Sequence, residues 1–321
     1  MKHVFLFITS WLLLTAAYGQ SDQTGADACA EGKVQYFGRL FQTGRASGRQ
    51  MAPTVQAVGD STIDVTYYGL DLRITTSPNY LRGATTVNLK ANVATLPQFY
   101  LDFNSNMKVD SVKSGAQKLT YTHQTNRLTI TLPQAITRGQ SGSVTIYYQG
   151  LPVTQNAGLT DQAFVFSTHE TTTDPLIYTL SEPYGASDWF PCKDTPADKA
   201  DSSAVSVTAA PFFVSVSNGL LQGVTTNADG TKTYRWKNSY PIAQYLISIA
   251  SSNYTLYDNP VTYQGITMPV THYIFPEDLA SVKPALTETN NMIRVFSDLF
   301  GTYPFIREKY GHAQFRWGGG M

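Results

Sequence analysis

Residues 178–200 hold the side chains of this sequence that are best placed to do chemistry. The stretch reads YTLSEPYGASDWFPCKDTPADKA and has four carboxylates and three prolines, without a clear strand or helix period. Long structured loops of this kind are often functional. Glu182 follows a predicted strand, where a carboxylate can hold a cationic amine by a charge-assisted hydrogen bond. From this segment alone a solvated surface carboxylate is the simpler interpretation of Glu182, and Asp188 and Asp194 are expected to form turns.

The end of the sequence, RWGGGM, is the second unusual segment. A glycine run supplies no side chains to pack, but it lets the backbone of a ligand approach closely. Two interpretations are open here. Composition alone favours a flexible end, and the alternative is a loop that binds the main chain of a ligand.

The histidines and cysteines do not make a catalytic set. The five histidines are His3, His123, His169, His272 and His312. No two of them lie four residues apart, so the H-E-x-x-H zinc motif is missing from this sequence. A catalytic zinc usually has three protein ligands and one open position, and no such set can be assembled. Cys29 and Cys192 could form a disulfide, but the sequence cannot place them within bonding distance; Cys192, in WFPCKD, is expected to be a buried small hydrophobe rather than a catalytic thiol.

Short strands must position these segments. From about residue 60 to residue 270, apolar and polar residues alternate in short runs that Gly, Asn and Pro separate, which is typical of an antiparallel sandwich or curved sheet. The predicted strands lie in runs such as TTVNLKANV, QFYLDF, RLTITL, SVTIYY, AFVFS, LIYTL, SAVSVTA, FFVSVSNG, KTYRWKN and YLISIASS. The sequence therefore predicts a mostly β domain.

The pattern changes near residue 276. Apolar residues recur at helical spacing from Leu279 to Phe300. Since proline is unfavourable inside a helix, Pro284 is expected to open the main helix, over residues 284–300, and Gly301 to end it. YGHAQF is then expected to be a strand. A β domain is thus followed by about 50 residues of a second, mixed domain, which is too short to bury a sizeable core by itself.

Composition and the first residues bear on partners and location. The 321 residues carry 23 basic and 23 acidic side chains and no basic stripe, so nucleic acid is not an expected partner. MKHVFLFITSWLLLTAAYGQ has a basic start, a short apolar run and small residues before Gln20, which is typical of a secretory signal peptide over residues 1–19. We expect an exported protein, periplasmic or extracellular, without a membrane span after signal cleavage; residues 20–58 form a loosely structured lead-in.

Two segments together resemble the zinc aminopeptidase family typified by aminopeptidase N. SEPYGASDWFPCKDTPADKA and, later, YPFIREKYGHAQFRWGGGM carry the likeness, which extends over nearly the whole mature chain. In that family a saddle-shaped β domain precedes a thermolysin-like catalytic domain. The resemblance implies a saddle-like antiparallel β-sandwich over residues 59–268, then the truncated start of the catalytic α+β domain, as strand, helix and strand, over residues 269–321.

The resemblance also implies site residues. Glu182 matches the family position that binds the free α-amine of the substrate, and Gly319, Gly320 and Met321 match the first part of a G-x-M-E-N-type loop. The expected substrate-binding residues are Glu182, Gly318, Gly319, Gly320 and Met321. By this likeness the sequence stops in mid-motif, before the family's H-E-x-x-H helix. Zinc is therefore expected in the full-length family and not bound by this chain.

Two functions remain open at this point. The first is the N-terminal part of an exported zinc aminopeptidase, which binds the amine and backbone of peptides that have a free N-terminus but lacks the zinc site. The second is a stand-alone secreted β-rich binding or structural protein without catalysis. Residue specificity and oligomeric state cannot be read from the sequence.

Overall fold

Alternating apolar residues build a chain that is mostly β-strand, as predicted. The computed structural model describes residues 59–152 and 163–316, so the predicted signal peptide, the lead-in up to residue 58, Cys29 and residues 318–321 lie outside the described residues. All the elements given below belong to one unit, Ala57–Phe315. The strands in the described residues are β1 (Ile63–Thr76), β2 (Asn79–Ala91), β3 (Thr95–Asp102), β4 (Lys108–Ser114), β5 (Gln117–Lys118), β6 (Tyr121–Gln124), β7 (Arg127–Thr137), β8 (Ser141–Gly150), β9 (Phe164–Thr168), β10 (Pro175–Thr179), β11 (Lys199–Ala200), β12 (Ser202–Ala209), β13 (Val214–Ser217), β14 (Leu220–Thr226), β15 (Lys232–Asn238), β16 (Ile242–Ala243), β17 (Ile249–Ser252), β18 (Thr255–Asp258), β19 (Val261–Tyr263), β20 (Ile266–Met268) and β21 (Thr271–Ile274).

The largest sheet has eight strands in the order β14-β15-β12-β1-β2-β8-β4-β5. Its neighbouring strands are antiparallel except β1 and β12, which run parallel. A three-stranded sheet, β3-β7-β6, shares its core. Leu72, Leu89 and Ile146 from the large sheet and Leu101 and Ile130 from the small one are almost completely buried in this cluster. The predicted antiparallel sandwich is confirmed, with one parallel pair inside it.

A four-stranded sheet, β13-β17-β10-β9, leads to the segment with Glu182. β10 lies between β9 and β17 and is antiparallel to both. A second apolar cluster joins this sheet to the chain after β20, and it includes Leu176, Trp236, Tyr254, Tyr273 and Phe275. The strand that precedes Glu182 is therefore held on both edges and packed from one side.

The helical segment differs from the prediction. Helix α1 (Leu279–Thr287) contains Pro284, and helix α2 (Thr289–Phe300) follows after Glu288. The expectation that Pro284 opens one helix over residues 284–300 was wrong. Pro284 is the sixth residue of α1, where its ring removes the hydrogen bond to the Ala280 carbonyl and crowds that group, yet the helix is interrupted only at Glu288. Gly301 does end α2, with a φ of 97° that favours glycine.

Residues 310–313 run beside β21 without forming a full strand. Tyr310 and Ala313 make isolated parallel bridges to Val270 and Tyr273. Gly311 is needed there, because a Cβ atom would lie 2.0 Å from the carbonyl oxygen of Thr271. The expected strand YGHAQF is therefore present only as two bridges.

Candidate functional site

Glu182 lies just past the end of β10, where the chain leaves its sheet. The backbone N–H of Leu180 still donates to the Ala163 carbonyl at 3.0 Å, so strand-like pairing continues one residue past the strand. Pro183 has no N–H and cannot extend the ladder. The Glu182–Pro183 peptide bond is cis. Glu182 itself is partly buried, between the buried Ser181 and the exposed Tyr184.

Hydrogen bonds and close packing hold the turn around Glu182. The N–H of Gly185 donates to the Ser181 carbonyl at 2.8 Å. The indole Nε1–H of Trp189 donates to the Ser181 hydroxyl at 3.0 Å. A Cβ atom on Gly185 would lie 2.7 Å from the Cβ atom of Ala163, so only glycine fits without displacing that neighbour. The residue before Glu182 is thus held by one backbone and one side-chain hydrogen bond.

Gln244 connects this turn to the rest of the loop. Its side-chain Nε2 donates to the Pro183 carbonyl at 3.3 Å and to Asp194 Oδ1 at 2.9 Å. The other oxygen of Asp194 accepts the backbone N–H of Ser187 at 3.1 Å. Burial raises the pKa of Asp194 above its ordinary value. Gln244 is completely buried and was not predicted, because nothing near it in the sequence marks it as special.

Asp188 and Asp194 are buried acceptors rather than exposed turn residues. Asp188 Oδ1 accepts the side-chain amide of Asn104 at 3.0 Å. The N–H of Asp194 donates to Asp102 Oδ2 at 3.0 Å, and Asp102 pairs through its backbone with Cys192. The expectation that both aspartates form turns was wrong, since their carboxylates accept side-chain amides from outside the loop, those of Asn104 and Gln244. Cys192 is buried, as expected, and burial raises the pKa of its thiol well above the ordinary value.

Burial also sets the charge state of Asp102. Desolvation is the largest cause and raises its pKa to about 6, and the nearby Asp194 carboxylate adds to the rise. The hydrogen bond from the Asp194 N–H and the charge of Arg127 act in the opposite direction. The buried carboxyl groups of Asp102 and Asp194 are therefore costly to ionise.

The carboxylate of Glu182 has no counter-ion in the described part of the chain. The ion pairs found there are Arg73–Asp229, Lys108–Asp110, His169–Glu277 and Lys193–Asp198. Lys193 is the lysine of the loop, and its ammonium is held by Asp198 at 2.6 Å and by the Ile63 carbonyl at 2.7 Å.

The chain that leads to the glycine run lies against the strand that leads to Glu182. The rings of Tyr178, in β10, and Phe315 stack with centroids 4.6 Å apart. Gly318, Gly319, Gly320 and Met321 lie outside the described residues, so their expected role stays a prediction.

The described residues do not fit a zinc ion. Among them there is no group of three or more His, Cys, Asp or Glu side chains that could hold a metal. His272 and His312 face each other through their Nδ1 atoms at 2.9 Å. His169 lies between Ser252 and Glu277, at 2.7 Å from each, and His123 Nε2 contacts the Phe103 carbonyl at 3.0 Å.

Among the described residues, none of the helices combines the length and apolar character needed to cross a membrane.

Comparison with known proteins gives a family and a fold. The family model of the peptidase M1 N-terminal domain matches residues 65–246, which is more than half of the chain. Leucine aminopeptidase 2 of Vanderwaltozyma polyspora is 40% identical over 79 residues, or 25% of this chain and 12% of that protein. Endoplasmic reticulum aminopeptidase 1 of Homo sapiens is 25% identical over 186 residues, or 57% of this chain and 19% of that protein.

Solved structures agree with this assignment. The M1 zinc metallopeptidase of Deinococcus radiodurans has a TM-score of 0.66 at 25% identity, covering 81% of this chain and 57% of that one. A variant of the same enzyme bound to a Tyr-Ser-Ala substrate gives a TM-score of 0.65 at 25% identity, covering 80% of this chain and 57% of that one. The chain thus spans little more than half of the solved relatives and less than a fifth of the curated ones.

Proposed function

The chain belongs to the peptidase M1 family, whose N-terminal domain matches residues 65–246, and we propose that it is the N-terminal part of an exported zinc-dependent aminopeptidase. In this role it binds the substrate and leaves the metal chemistry to a segment that carries the family's H-E-x-x-H motif. The observation that carries the proposal is the Glu182 carboxylate, which stands on a firmly held turn and has no counter-ion among the described residues. The apolar run and small residues of the segment 1–19 support export.

The proposed action of Glu182 is to fix the position of the substrate's N-terminus. A protonated α-amine donates a charge-assisted hydrogen bond to a carboxylate. Because Ser181 is anchored by the Trp189 indole and Pro183 by Gln244, the backbone that carries the carboxylate is held in place. The backbone of the glycine run, by its resemblance to the family loop, would pair with the substrate's main chain as an added strand. Zinc, when supplied by the rest of such an enzyme, polarises the scissile carbonyl and activates water.

The exposed apolar face of α2 favours the N-terminal part of a larger protein over a stand-alone protein. Met292, Val295, Phe296, Leu299 and Phe300 are each more than half exposed on this helix. A large exposed apolar patch marks an interaction surface in soluble proteins. A catalytic segment that packs against this helix accounts for the apolar face. A stand-alone secreted β-rich binding protein without catalysis leaves the face unexplained.

Reading the coding DNA past Met321 separates the two functions. A continuing frame that encodes H-E-x-x-H supports the aminopeptidase. A stop codon directly after Met321 would favour the stand-alone protein and contradict our proposal.

Replacing Glu182 should selectively weaken turnover of substrates with a free N-terminus. In an enzyme that joins this chain to its zinc-bearing segment, we expect kcat/KM of Glu182→Ala to fall by roughly ten- to a hundredfold, since a hydrogen bond to a charged group contributes about 1.5–3 kcal/mol. N-acetylated substrates lack the cation and should respond far less. Steady-state kinetics on matched free and acetylated peptides measure this difference.

The matched control is Glu170→Gln, because Glu170 is an exposed carboxylate just after β9. It should leave both substrates unaffected. Unchanged kinetics for Glu182→Ala, or an equal loss on free and acetylated peptides, would contradict the role of Glu182 in amine binding.

The 321-residue chain by itself should release no amino acids from peptides. This sequence contains no H-E-x-x-H motif, and a catalytic zinc needs converging ligands. Amino-acid release by the purified chain, assayed with and without a chelator, checks the expectation. Sustained release that a chelator stops would overturn it.

A further inference from the structure

A cavity of about 270 Å³ lies between the four-stranded sheet and the chain that runs beside β21. One wall is formed by residues of β10, β13 and β17 and the loops next to them, and includes Thr179, Ser217, Asn218 and Ser248. The other wall includes residue Lys309 and its neighbours up to residue 315. Small-molecule sites usually have about 300–1,000 Å³, so this cavity suits a ligand of a few heavy atoms.

Lys309 brings a positive charge to this cavity. Its ammonium donates to the Ser217 carbonyl at 2.8 Å and lies 4.8 Å from the centroid of the Trp236 ring. No carboxylate of the described residues is within 4.0 Å of it. The adjacent Glu308 is engaged elsewhere, since its Oε1 accepts the Ser239 N–H at 2.6 Å. An ammonium has three donors, so two remain after the bond to Ser217.

Further donors line the same cavity. The side-chain oxygen of Asn218 accepts the Ser248 N–H at 2.9 Å, which leaves the Asn218 amide group as a donor. The Ser248 hydroxyl has no protein partner in the described ranges. The Ser248 carbonyl, by contrast, already accepts the Ser217 hydroxyl at 2.7 Å. The Asn218 amide and the Ser248 hydroxyl can therefore each donate a hydrogen bond to a ligand.

Part of the wall is apolar. Val216, Ile249, Ala250 and Phe315 line the cavity beside these donors. A ligand that fits both parts carries one negative charge and a small apolar group. Burial lowers the pKa of Lys309 to about 8, and a bound anion would restore the charge that burial disfavours.

We propose that this cavity binds a small organic monocarboxylate, whose carboxylate contacts Lys309, Asn218 and Ser248 and whose apolar substituent faces Val216 and Phe315. Such a site is independent of the proposed amine contact at Glu182. Its ligand class includes short branched-chain acids and the carboxylate end of small apolar amino acids. A failed test here would leave the proposed aminopeptidase function standing.

Calorimetric titration of the 321-residue chain with 3-methylbutanoate tests the proposal. We expect saturable binding that weakens by roughly ten- to a hundredfold in Lys309→Met, since a hydrogen bond to a charged group is lost. The isosteric neutral amide, 3-methylbutanamide, should bind at least about tenfold more weakly for the same reason. Binding should also weaken above pH 8, as the Lys309 ammonium loses its proton.

Lys113→Met is the matched control, because Lys113 also lies over an aromatic ring, that of Tyr147, at 5.0 Å and far along the sequence from the cavity. It should not change the affinity. If Lys309→Met does not fold, Ser248→Ala removes one donor and keeps the packing of Lys309 on Trp236, and it should weaken binding several-fold. Undetectable binding, equal affinity for the acid and its amide, equal or tighter binding of inorganic phosphate, or unchanged affinity in both cavity variants would overturn the proposal.

Discussion

Trp189→Ala should lower the free energy of unfolding by about 3–5 kcal/mol, because removing a buried tryptophan loses apolar burial and leaves a cavity. Trp189 is completely buried. Its ring packs against Phe190 and Phe164, with centroids 4.5 Å and 5.8 Å away. It belongs to the main core and also anchors Ser181, the residue before Glu182. Urea unfolding of the 321-residue chain measures the loss.

A second variant separates packing from hydrogen bonding. Trp189→Phe keeps an aromatic ring but removes the indole donor to the buried Ser181 hydroxyl, a loss of about 1–3 kcal/mol before any cavity effect. It should therefore be less destabilising than Trp189→Ala. Phe212→Ala is the control, since Phe212 is 41% exposed and should shift stability by only about 0.5 kcal/mol. A loss below 1 kcal/mol for Trp189→Ala would contradict the complete burial of the Trp189 ring in the main core.

The strands could be predicted because their signal is local. Alternation puts every second residue of a strand on the core face, so β1, β2 and β8 are visible in short windows of sequence. The helices after residue 276 show the limit of such reasoning. Pro284 is a strong local signal, yet the chain accepts its lost hydrogen bond and steric crowding inside α1. Whether a boundary falls there depends on the packing of the whole segment, which a local pattern does not contain.

The site could be predicted only in part, because its supports are distant in sequence. Glu182 stands at the end of a recognisable strand, and its suggested role came from the family resemblance. Asp102 and Gln244 hold the loop through Asp194, from 92 and 50 residues away. Nothing near Lys309 indicates that it will face Ser217, 92 residues earlier. Such contacts follow from the pairing of strands, which no single segment encodes.

The raised pKa of Asp102 makes the free energy of unfolding depend on pH. Asp102 has an ordinary pKa of 3.8, which the fold raises to about 6, chiefly by desolvation. The folded state therefore holds the proton more tightly than the unfolded state. This contribution to stability is complete below pH 3.8 and is lost as the pH rises through about 6. Since one pKa unit corresponds to 1.36 kcal/mol, the loss is on the order of 3 kcal/mol.

Asp102→Asn should remove this dependence, because asparagine cannot ionise and keeps an oxygen that can accept the Asp194 N–H. We expect the variant to be more stable than the wild type at pH 7 and to lose this advantage towards pH 4. The measured quantity must be the difference between the free energies of unfolding of the two proteins. The reason is that His272 changes stability over the same pH range with the opposite sign. Burial and the neighbouring His312 lower the pKa of His272 to about 4, so its contribution is present above pH 6.5 and is lost on acidification.

Urea unfolding of both proteins at pH 4, 5, 6 and 7 makes the comparison, and His272 cancels in the difference because it is present in both. Asp229→Asn is the matched control. Asp229 is exposed and paired with Arg73, which helps to lower its pKa, so this control should change stability only slightly from pH 4 to pH 7. A constant difference between Asp102→Asn and the wild type across these pH values would mean that Asp102 is already ionised at pH 4. The Asp102 carboxyl group would then be solvated in the folded protein rather than buried, which would contradict desolvation as the cause of its raised pKa.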